Sequence, residues 1–382
     1  MARKRIEKNL AYDDDKKLYY AYFNYGNSKD GTRIRKTRTF YEEEEARLSL
    51  LEFETKRLRG RLITPSRMTL EQWLDYWLDD IIQPNRAQTT YYCYRSIVKN
   101  HIVPALGTIL LQALTPQRIQ QYYTQTMRTK GLSSNSVYKH HILLHTALKL
   151  AYRQEILSDN PVDRVEPPKE LPAHQLYYTP LQLRELFQKV EGTWLELVVK
   201  LGGYLGLRRG EICGLRWDCV DFERNVIYIR ATRTTAGNLI VEKGPKSDSS
   251  ERTLGIGDLE DLISLLHKVQ RQQDADRREK GEKYKDSGYV LTRRDGTPRH
   301  PNQVTCALGQ FVRQHNLPPI TIHGLRHTFA SVANQANVPL LDIGKALGHK
   351  DISITGRIYT HIFDKTHQDV LNKVALCIHS DS

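Results

Sequence analysis

The sequence predicts an α+β protein of several domains: a small sheet-plus-helix domain, then a helical domain, then a mixed and mainly helical domain with a small antiparallel sheet. The chain has 382 residues, enough for two or three hydrophobic cores. Its hydrophobic pattern changes along the chain, and a proline-rich run precedes the last section. We place the domains at residues 1–64, 65–166 and 177–382, with a linker at 167–176.

The first section contains two strands and a helix. KLYYAYFNYG and TRIRKTRTF read as strands, and the turn sequence NSKDG joins them. YEEEEARLSLLEFETKRLRG reads as a helix that is acidic at its start and basic at its end, as the helix dipole favours. The second strand carries four cations, which are Arg33, Arg35, Lys36 and Arg38. This ribbon either contacts the phosphates or a groove of DNA, or it is a solvated edge strand protected by charge.

The second section is helical. In MTLEQWLDYWLDDII the apolar residues recur at helical spacing after Thr69, a predicted N-cap, and we expect the two tryptophans to lie in a core. Further helices are predicted around residues 88–101, in TPQRIQQYYTQTMRTKG and in SSNSVYKHHILLHTALKLAYRQEIL. The histidines of the last helix lack carboxylate or cysteine partners, so no metal site is expected there. A basic helical module between two other domains suggests a clamp.

The third section is mixed. It follows NPVDRVEPPKELPAHQ, whose four prolines predict a stiff, extended linker. Helices come first, then the strands VIYIRATRT and LIVEKGPKSDSSERTLGI, then helices again. Near the end of the chain, HQDVLNKVALCI predicts a tail helix with an apolar stripe, which could simply pack on its own domain.

The charge of the chain predicts a polyanionic partner, most simply nucleic acid. Lys and Arg number 57 against 44 Asp and Glu, a formal net charge of +13; a merely basic soluble protein is the alternative that charge alone leaves open. Five cysteines without a CxxC pair argue against a disulfide framework or a zinc ribbon. With no signal peptide in MARKRIEKNLAYDDDKK and no apolar run long enough to span a membrane, we expect a cytoplasmic protein without a membrane partner.

Four short stretches of the third section carry residues suited to catalysis. GYLGLRRGEICGLRW offers an arginine at a helix start, EKGPKSDSSERT a lysine at the tip of a predicted hairpin, TIHGLRHTFAS a histidine and an arginine three apart, and GHKDISITGRIYTH a histidine and a tyrosine. The candidate residues are Arg208, Lys246, His323, Arg326, His349 and Tyr359. Each stretch alone has an ordinary explanation: an internal Arg–Glu ion pair, a solvated lysine, or chance. Their presence together in one domain favours a common site.

Taken together, the four stretches resemble the boxes of the tyrosine recombinases, or phage-type integrases. LGLRRGE is similar to the first arginine box of this family, PKSDSSERTL to its lysine motif, HGLRHTFAS to its His-x-x-Arg box, and LGHKDISITGRIYTH to its closing tyrosine box. The helical section resembles the family's core-binding domain. The first section is a weaker likeness to the arm-binding modules of integrases from phages and conjugative transposons. The resemblance therefore implies a DNA-clamping core-binding domain and a catalytic domain at 177–382 that includes the tail helix.

The resemblance implies a DNA strand transferase that works through a covalent 3′-phosphotyrosine and strand exchange. Tyr359 would be the nucleophile, with Arg208 and Arg326 binding the non-bridging phosphate oxygens. The two histidines would add donors to the same oxygens, or His323 would take the tyrosine proton. Lys246 suits the acid that protonates the leaving 5′-oxygen. This chemistry implies no metal and no cofactor, because the covalent bond conserves the phosphodiester energy.

The implied partners are double-stranded DNA attachment sites and three further copies of the chain, in a homotetramer on DNA. In such an assembly the tail helix would dock on a neighbouring subunit. Accessory excision or DNA-bending proteins are left open as further partners. The expected activity is the integration, and the excision, of a mobile genetic element. Two rival functions stand beside it: a structural DNA-binding protein of the same fold, and topoisomerase-like strand passage.

Overall fold

The computed structural model describes residues 3–27, 31–58, 65–171, 176–244 and 251–348. The chain divides into two compact units, residues 1–172 and 173–382. Both units combine helices with small antiparallel sheets, and the predicted α+β class is confirmed. In the described part of the chain, no helix is both long enough and apolar enough to cross a membrane. The finer domain boundaries at residues 64 and 166 stay a prediction.

The first unit opens with a four-stranded antiparallel sheet backed by one helix. Its elements are β1 (Lys4–Glu7), β2 (Leu10–Asp13), β3 (Leu18–Asn27), β4 (Arg33–Phe40) and α1 (Glu43–Leu58), and the strand order is β1-β2-β3-β4. The sequence predicted β3, β4 and α1. It did not predict β1 and β2, because each has only four residues and their charged neighbours hide any alternation. Leu10 and Phe23 of the sheet pack against Leu50 and Phe53 of α1 in a small core.

The rest of the first unit is a helical bundle. Its helices are α2 (Leu70–Tyr76), α3 (Gln83–Asn85), α4 (Gln88–Ile97), α5 (Val103–Leu106), α6 (Pro116–Lys130) and α7 (Ser134–Arg153). The predicted N-cap is confirmed, since Thr69 and Gln72 form a reciprocal capping box. Both tryptophans, Trp73 and Trp77, are core residues as expected, and Trp73 Nε1 donates to the carbonyl of Ala147 at 3.1 Å.

Two π-helical turns interrupt this bundle. They span Trp77–Ile82 and Val98–Ile102 and join α2 to α3 and α4 to α5. A proline follows each turn closely, Pro84 in α3 and Pro104 in α5. A proline has no N–H for the helix ladder, and its ring crowds the carbonyl four residues earlier. The wider π turn accommodates that ring, and the helix continues beyond it.

The histidines of α7 bond within the helical bundle, and His145 has a carboxylate partner that the sequence did not indicate, Asp163 at 2.9 Å. His140 Nδ1 lies 2.8 Å from the hydroxyl of Tyr122, and the ring of His101 packs beside it. Burial, together with His101 and Lys130, lowers the pKa of His140 to about 4, so it is neutral at pH 7. No cluster of three or more His, Cys, Asp or Glu side chains among the described residues could hold a metal ion.

The start of the predicted linker is bound to the helical bundle. Asn135, in the first turn of α7, accepts from the backbone N–H of Leu171 at 2.7 Å and donates to the Leu171 carbonyl at 2.8 Å. Gln120 accepts from the backbone N–H of Glu166 at 3.0 Å. These bonds fix the chain up to residue 171, although its prolines predict an extended backbone.

The second unit packs its helices around α9. Its helices are α8 (Pro180–Val190), α9 (Leu195–Leu205), α10 (Arg209–Gly214), α11 (Glu260–Lys280), α12 (Pro301–Gln314), α13 (Ile322–Gln335) and α14 (Leu340–Leu347). Its strands are β5 (Val220–Asp221), β6 (Val226–Ile229), β7 (Thr232–Ala236), β8 (Leu239–Lys243) and β9 (Arg252–Gly255). α9 is buried almost throughout and contacts α8, α11, α12 and α13. It therefore provides a rigid centre for the side chains discussed below.

The predicted hairpin around Lys246 is wrong for the strands that the structure describes. β8 pairs with β7 in a two-stranded sheet, whereas β9 pairs with β6 in a three-stranded sheet of order β5-β6-β9. The reason is a break at Arg230 and Ala231, which divides VIYIRATRT into two strands. β7 then turns back on β8 through Gly237, whose φ is +59°, and leaves β6 free to pair with β9. Lys246 itself lies outside the described residues, between the two sheets in sequence.

Candidate active site

Arg208 stands at the N-terminus of α10 in a reciprocal arrangement with Glu211. The backbone N–H of Arg208 donates to Glu211 Oε2 at 2.9 Å, and its Nη1 donates to Oε1 at 2.8 Å. The internal ion pair considered from the sequence therefore exists. The Arg208 side chain is nevertheless 39 % exposed. The guanidinium is oriented by the protein and still has donors available for an anion.

A second arginine holds Glu211 from the opposite side. Arg252 donates from Nη1 to Oε1 at 3.2 Å and from Nη2 to Oε2 at 2.9 Å, a two-pronged contact. The side chains are only 7 % and 2 % exposed. Burial alone would raise the pKa of Glu211, but the bonds from Arg252 and Arg208 outweigh it and hold that pKa below its usual value.

Sequence reasoning did not single out Arg252, although one signal was present. Arg252 and Leu254 alternate with exposed residues along β9, so the strand period places the guanidinium on the less exposed face. A charged residue on that face needs a partner, and Glu211 is the buried carboxylate that meets it.

Arg326 lies within α13 and joins the ends of two other helices. Its guanidinium is almost fully buried; Nη1 donates to the carbonyl of Gly206 at 2.8 Å and Nη2 to the carbonyl of Leu347 at 2.7 Å. These carbonyls stand at the C-terminal ends of α9 and α14, where the helix dipoles concentrate negative charge. Arg326 therefore fixes the positions of α9, α13 and α14 relative to one another.

His323 lies one turn before Arg326, because the stretch that carries both residues is the helix α13. Its side chain is exposed at the surface. Partial desolvation by the surrounding protein, then the positive charges of Arg326 and Arg208, lower the pKa of its imidazole. The ring is therefore neutral at neutral pH and can accept a proton. Its neighbour His327, which the sequence analysis did not consider, meets it edge-on at 4.5 Å between ring centroids.

Gly348 connects these groups at the end of α14. It is the left-handed C-cap of that helix, with φ +66°. Its carbonyl accepts from Arg208 Nη2 at 3.3 Å, while Arg326 binds the preceding carbonyl. The structure thus brings Arg208, His323 and Arg326 together. Lys246, His349 and Tyr359 lie outside the described residues, as does the predicted tail helix.

The described part of the site carries excess positive charge. Two guanidinium groups, those of Arg208 and Arg252, bind the one carboxylate, that of Glu211, and a third, that of Arg326, binds backbone carbonyls at the same helix ends. A tetrahedral anion with two free oxygens matches the forked donors of arginine. A phosphodiester is such a group, and this arrangement can bind it without a metal ligand set.

The cationic ribbon of the first unit is divided by the pleat of its sheet. The register pairs Arg38 with Ala21 and Lys36 with Phe23, which places both cations on the face that α1 covers. Arg33 and Arg35 alternate with them and lie on the open face. There Arg35 stacks over the ring of Tyr22, and Arg3 stacks over Tyr20. All four cations are exposed, but they do not form a single surface.

Comparison with known proteins gives the same family over most of the chain. The model of the phage integrase family matches residues 177–366, and that of the phage integrase N-terminal SAM-like domain matches residues 69–127. A relative described as "Tyrosine recombinase XerC-like", from Caldanaerobacter subterraneus subsp. tengcongensis, is 25 % identical and covers 94 % of this chain and 96 % of its own length.

Two solved structures share the fold. The Tn1549 transposon integrase in complex with a circular intermediate DNA has a TM-score of 0.67 at 20 % identity, over 80 % of this chain and 99 % of that one. A lambda integrase tetramer bound to a Holliday junction has a TM-score of 0.60 at 17 % identity, over 93 % and 96 %. Neither rival function is favoured by these matches. The chain belongs to the phage integrase family of tyrosine recombinases and is a site-specific recombinase, a DNA strand transferase that uses a tyrosine nucleophile.

Proposed function

We propose that this recombinase integrates and excises a mobile genetic element, with Arg208, Lys246, His323, Arg326, His349 and Tyr359 as its catalytic set. The observation that carries the assignment is the meeting of Arg208 with the His323–Arg326 pair around the end of α14. Two arginines and a neutral histidine in one place are what a phosphodiester in strand cleavage requires. Gly348, which Arg208 binds, directly precedes His349 in the chain.

The proposed reaction is an in-line displacement at phosphorus. The phenolic oxygen of Tyr359 forms a bond to the phosphorus, and the bond to the 5′-oxygen of the next nucleotide breaks. The tyrosine proton passes to His323, whose lowered pKa leaves its ring able to accept it. Lys246 gives a proton to the leaving 5′-oxygen. One phosphoester bond replaces another, so attack by a second 5′-hydroxyl reverses the step and joins a new strand.

The arginines stabilise the charge that builds on the phosphate. In the transition state the two non-bridging oxygens carry more negative charge than in the substrate, so fixed donors bind it more strongly. Arg208 offers an exposed and oriented fork. Arg326 contributes positive charge from a buried position, where the low dielectric strengthens its effect. His349 adds a donor to the same oxygens in this proposal.

We further propose double-stranded DNA attachment sites as the substrate and a homotetramer as the working assembly, in the cytoplasm. The DNA complexes of the Tn1549 and lambda integrases, and the tetramer of the latter, support this by analogy. The net charge of +13 is consistent with a DNA partner. The family resemblance further implies docking of the tail helix on a neighbouring subunit, and it allows accessory excision or DNA-bending proteins as partners.

Recombination between two sites tests this function. A supercoiled plasmid would carry two copies of a candidate attachment site, taken from repeated motifs in the DNA that flanks the gene. We expect the purified chain to delete or invert the segment between the sites, with new junctions visible by sequencing. A plasmid with one scrambled site is the matched control. Relaxation of supercoils without any new junction would instead favour the topoisomerase function, and tight binding without cleavage the structural one.

The open face of the N-terminal sheet gives a second prediction. Arg35→Ala should weaken binding to an arm-type duplex and lower the salt slope of the binding constant by about one, as expected for one lost phosphate contact. Lys36→Ala is the matched control, because it removes one exposed cation from the opposite face. Fluorescence anisotropy at several salt concentrations measures both. Equal losses of DNA affinity for the two variants would contradict the assignment of binding to the open face.

A further inference from the structure

We propose that Arg252 is a positioning residue for strand cleavage, because it fixes the carboxylate of Glu211 that in turn orients the guanidinium of Arg208. The inference rests on the proposed function, in which Arg208 binds the scissile phosphate. Arg252 itself is nearly buried and bonded to Glu211 through both Nη atoms. It acts through another residue and is not itself placed on the substrate.

The carboxylate of Glu211 has no freedom to rotate. Each oxygen accepts one bond from Arg208 and one from Arg252, at distances between 2.8 and 3.2 Å. An ionised carboxylate has about four acceptor positions, and two arginines supply four donors. Without Arg252, two of these positions lack a donor, and only the two bonds from Arg208 itself hold the carboxylate. The guanidinium of Arg208 is then held less firmly in the orientation in which it binds the phosphate.

Arg252 also stands where three segments of the site meet. It is the first residue of β9, six positions after Lys246 in the chain. It contacts α10 through Glu211, and it fills the space beside Gly348, where a Cβ would lie 3.0 Å from its Nη1. Gly348 in turn receives Arg208 Nη2. One buried ion pair therefore connects the chain segments next to three of the proposed catalytic residues.

The pH dependence of cleavage distinguishes positioning from general support of the fold. In the native protein the bonds from Arg252 keep Glu211 ionised, since they hold its pKa below the usual value against the effect of burial. A lysine at position 252 keeps the charge but cannot make both hydrogen bonds to Glu211, so the balance moves toward burial and the pKa of Glu211 rises. Glu211 then takes up a proton as the pH falls, and its ion pair with Arg208 weakens. The variant should lose activity on the acid side, where the native enzyme keeps it.

The variant to make is Arg252→Lys, which keeps the charge but cannot form the two-pronged contact. On a nicked suicide site at saturating protein we expect the rate of covalent adduct formation to fall 10- to 100-fold, as for other groups that orient a site residue. Site affinity, measured by gel shift, should stay unchanged. The deficit should grow as the pH is lowered from 8 to 6. Adding Glu211→Gln should remove this extra pH dependence, because glutamine does not titrate.

Arg233→Lys is the matched control. Arg233 is buried to the same degree as Arg252 and lies in the same unit, but it bonds the carbonyl of Arg299 and faces Glu242. We expect a similar loss of thermal stability and an unchanged cleavage rate. If Arg252→Lys cleaved at the native rate and with the native pH profile, this inference would be overturned but the proposed function would not. An adduct that still forms when Tyr359 is replaced by phenylalanine would overturn the proposed function instead.

Discussion

Tyr359→Phe is expected to abolish covalent trapping of the protein on a nicked suicide site. The substitution removes one oxygen and leaves the ring, so shape and packing are retained while the nucleophile is lost. None of the other proposed catalytic residues replaces it, because their side chains are cations or imidazoles. Trapping is measured as a band that resists denaturant on a gel, and the rate should fall below detection while site binding remains.

The hydroxyl of another tyrosine provides the control for this experiment. Tyr228 lies on β6 in the same unit, half-buried, with Arg230 stacked on its ring. Tyr228→Phe removes the same atom from a position outside the proposed catalytic set, and trapping should persist. If the Tyr359 variant still forms the adduct, the assignment of the nucleophile is wrong. Mapping the adducted peptide would then show which residue takes its place.

Arg208→Ala should reduce the cleavage rate by about 10²- to 10³-fold, the usual cost of removing one donor that stabilises transition-state charge. The fold should tolerate the change. Glu211 keeps its two bonds from Arg252 and is not left unpaired in the interior. The free energy of unfolding should therefore change by no more than about 1 kcal/mol, since the lost pair is partly exposed.

Arg209→Ala is the neighbouring control for Arg208. Its side chain points elsewhere and donates to Asn302 at 3.3 Å and Thr305 at 3.0 Å on α12. Single-turnover cleavage at saturating protein and urea unfolding measure the two quantities separately. If the free energy of unfolding fell by as much as the activation free energy of cleavage rose, the expected role of Arg208 would be contradicted. Equal losses of rate at positions 208 and 209 would contradict it as well.

Local patterns predicted the parts of the site that are carried by one element each. His323 and Arg326 share a helix, and the spacing of three placed them one turn apart. The N-cap at Thr69, outside the site, followed in the same way from its position before an apolar helix. In both cases the physical cause lies within a few residues of chain, where sequence spacing is sufficient.

Interactions between distant segments escaped the sequence analysis. Arg252 and Glu211 are 41 residues apart, and no local pattern predicts that these two buried charges form a pair. The hairpin prediction failed for a similar reason, because the strand partners depend on the break at Arg230, which the sequence did not indicate. The split of the cationic ribbon is different. Alternation along β4 already places Arg33 and Arg35 on one face and Lys36 and Arg38 on the other. Only the position of α1 showed which face was open.

The contacts of Arg326 and Arg208 with helix ends have a consequence for how the sequence can diverge. Both arginines bind backbone carbonyls, at Gly206, Leu347 and Gly348, so these bonds do not depend on which side chains stand there. They depend on the path of the backbone. At Gly206, with φ +61°, a Cβ would lie 2.7 Å from Leu347 Cδ2, and at Gly348 it would press on Arg252. A relative only 25 % identical can therefore preserve the proposed phosphate site, provided that glycine remains at the two points where the helices end.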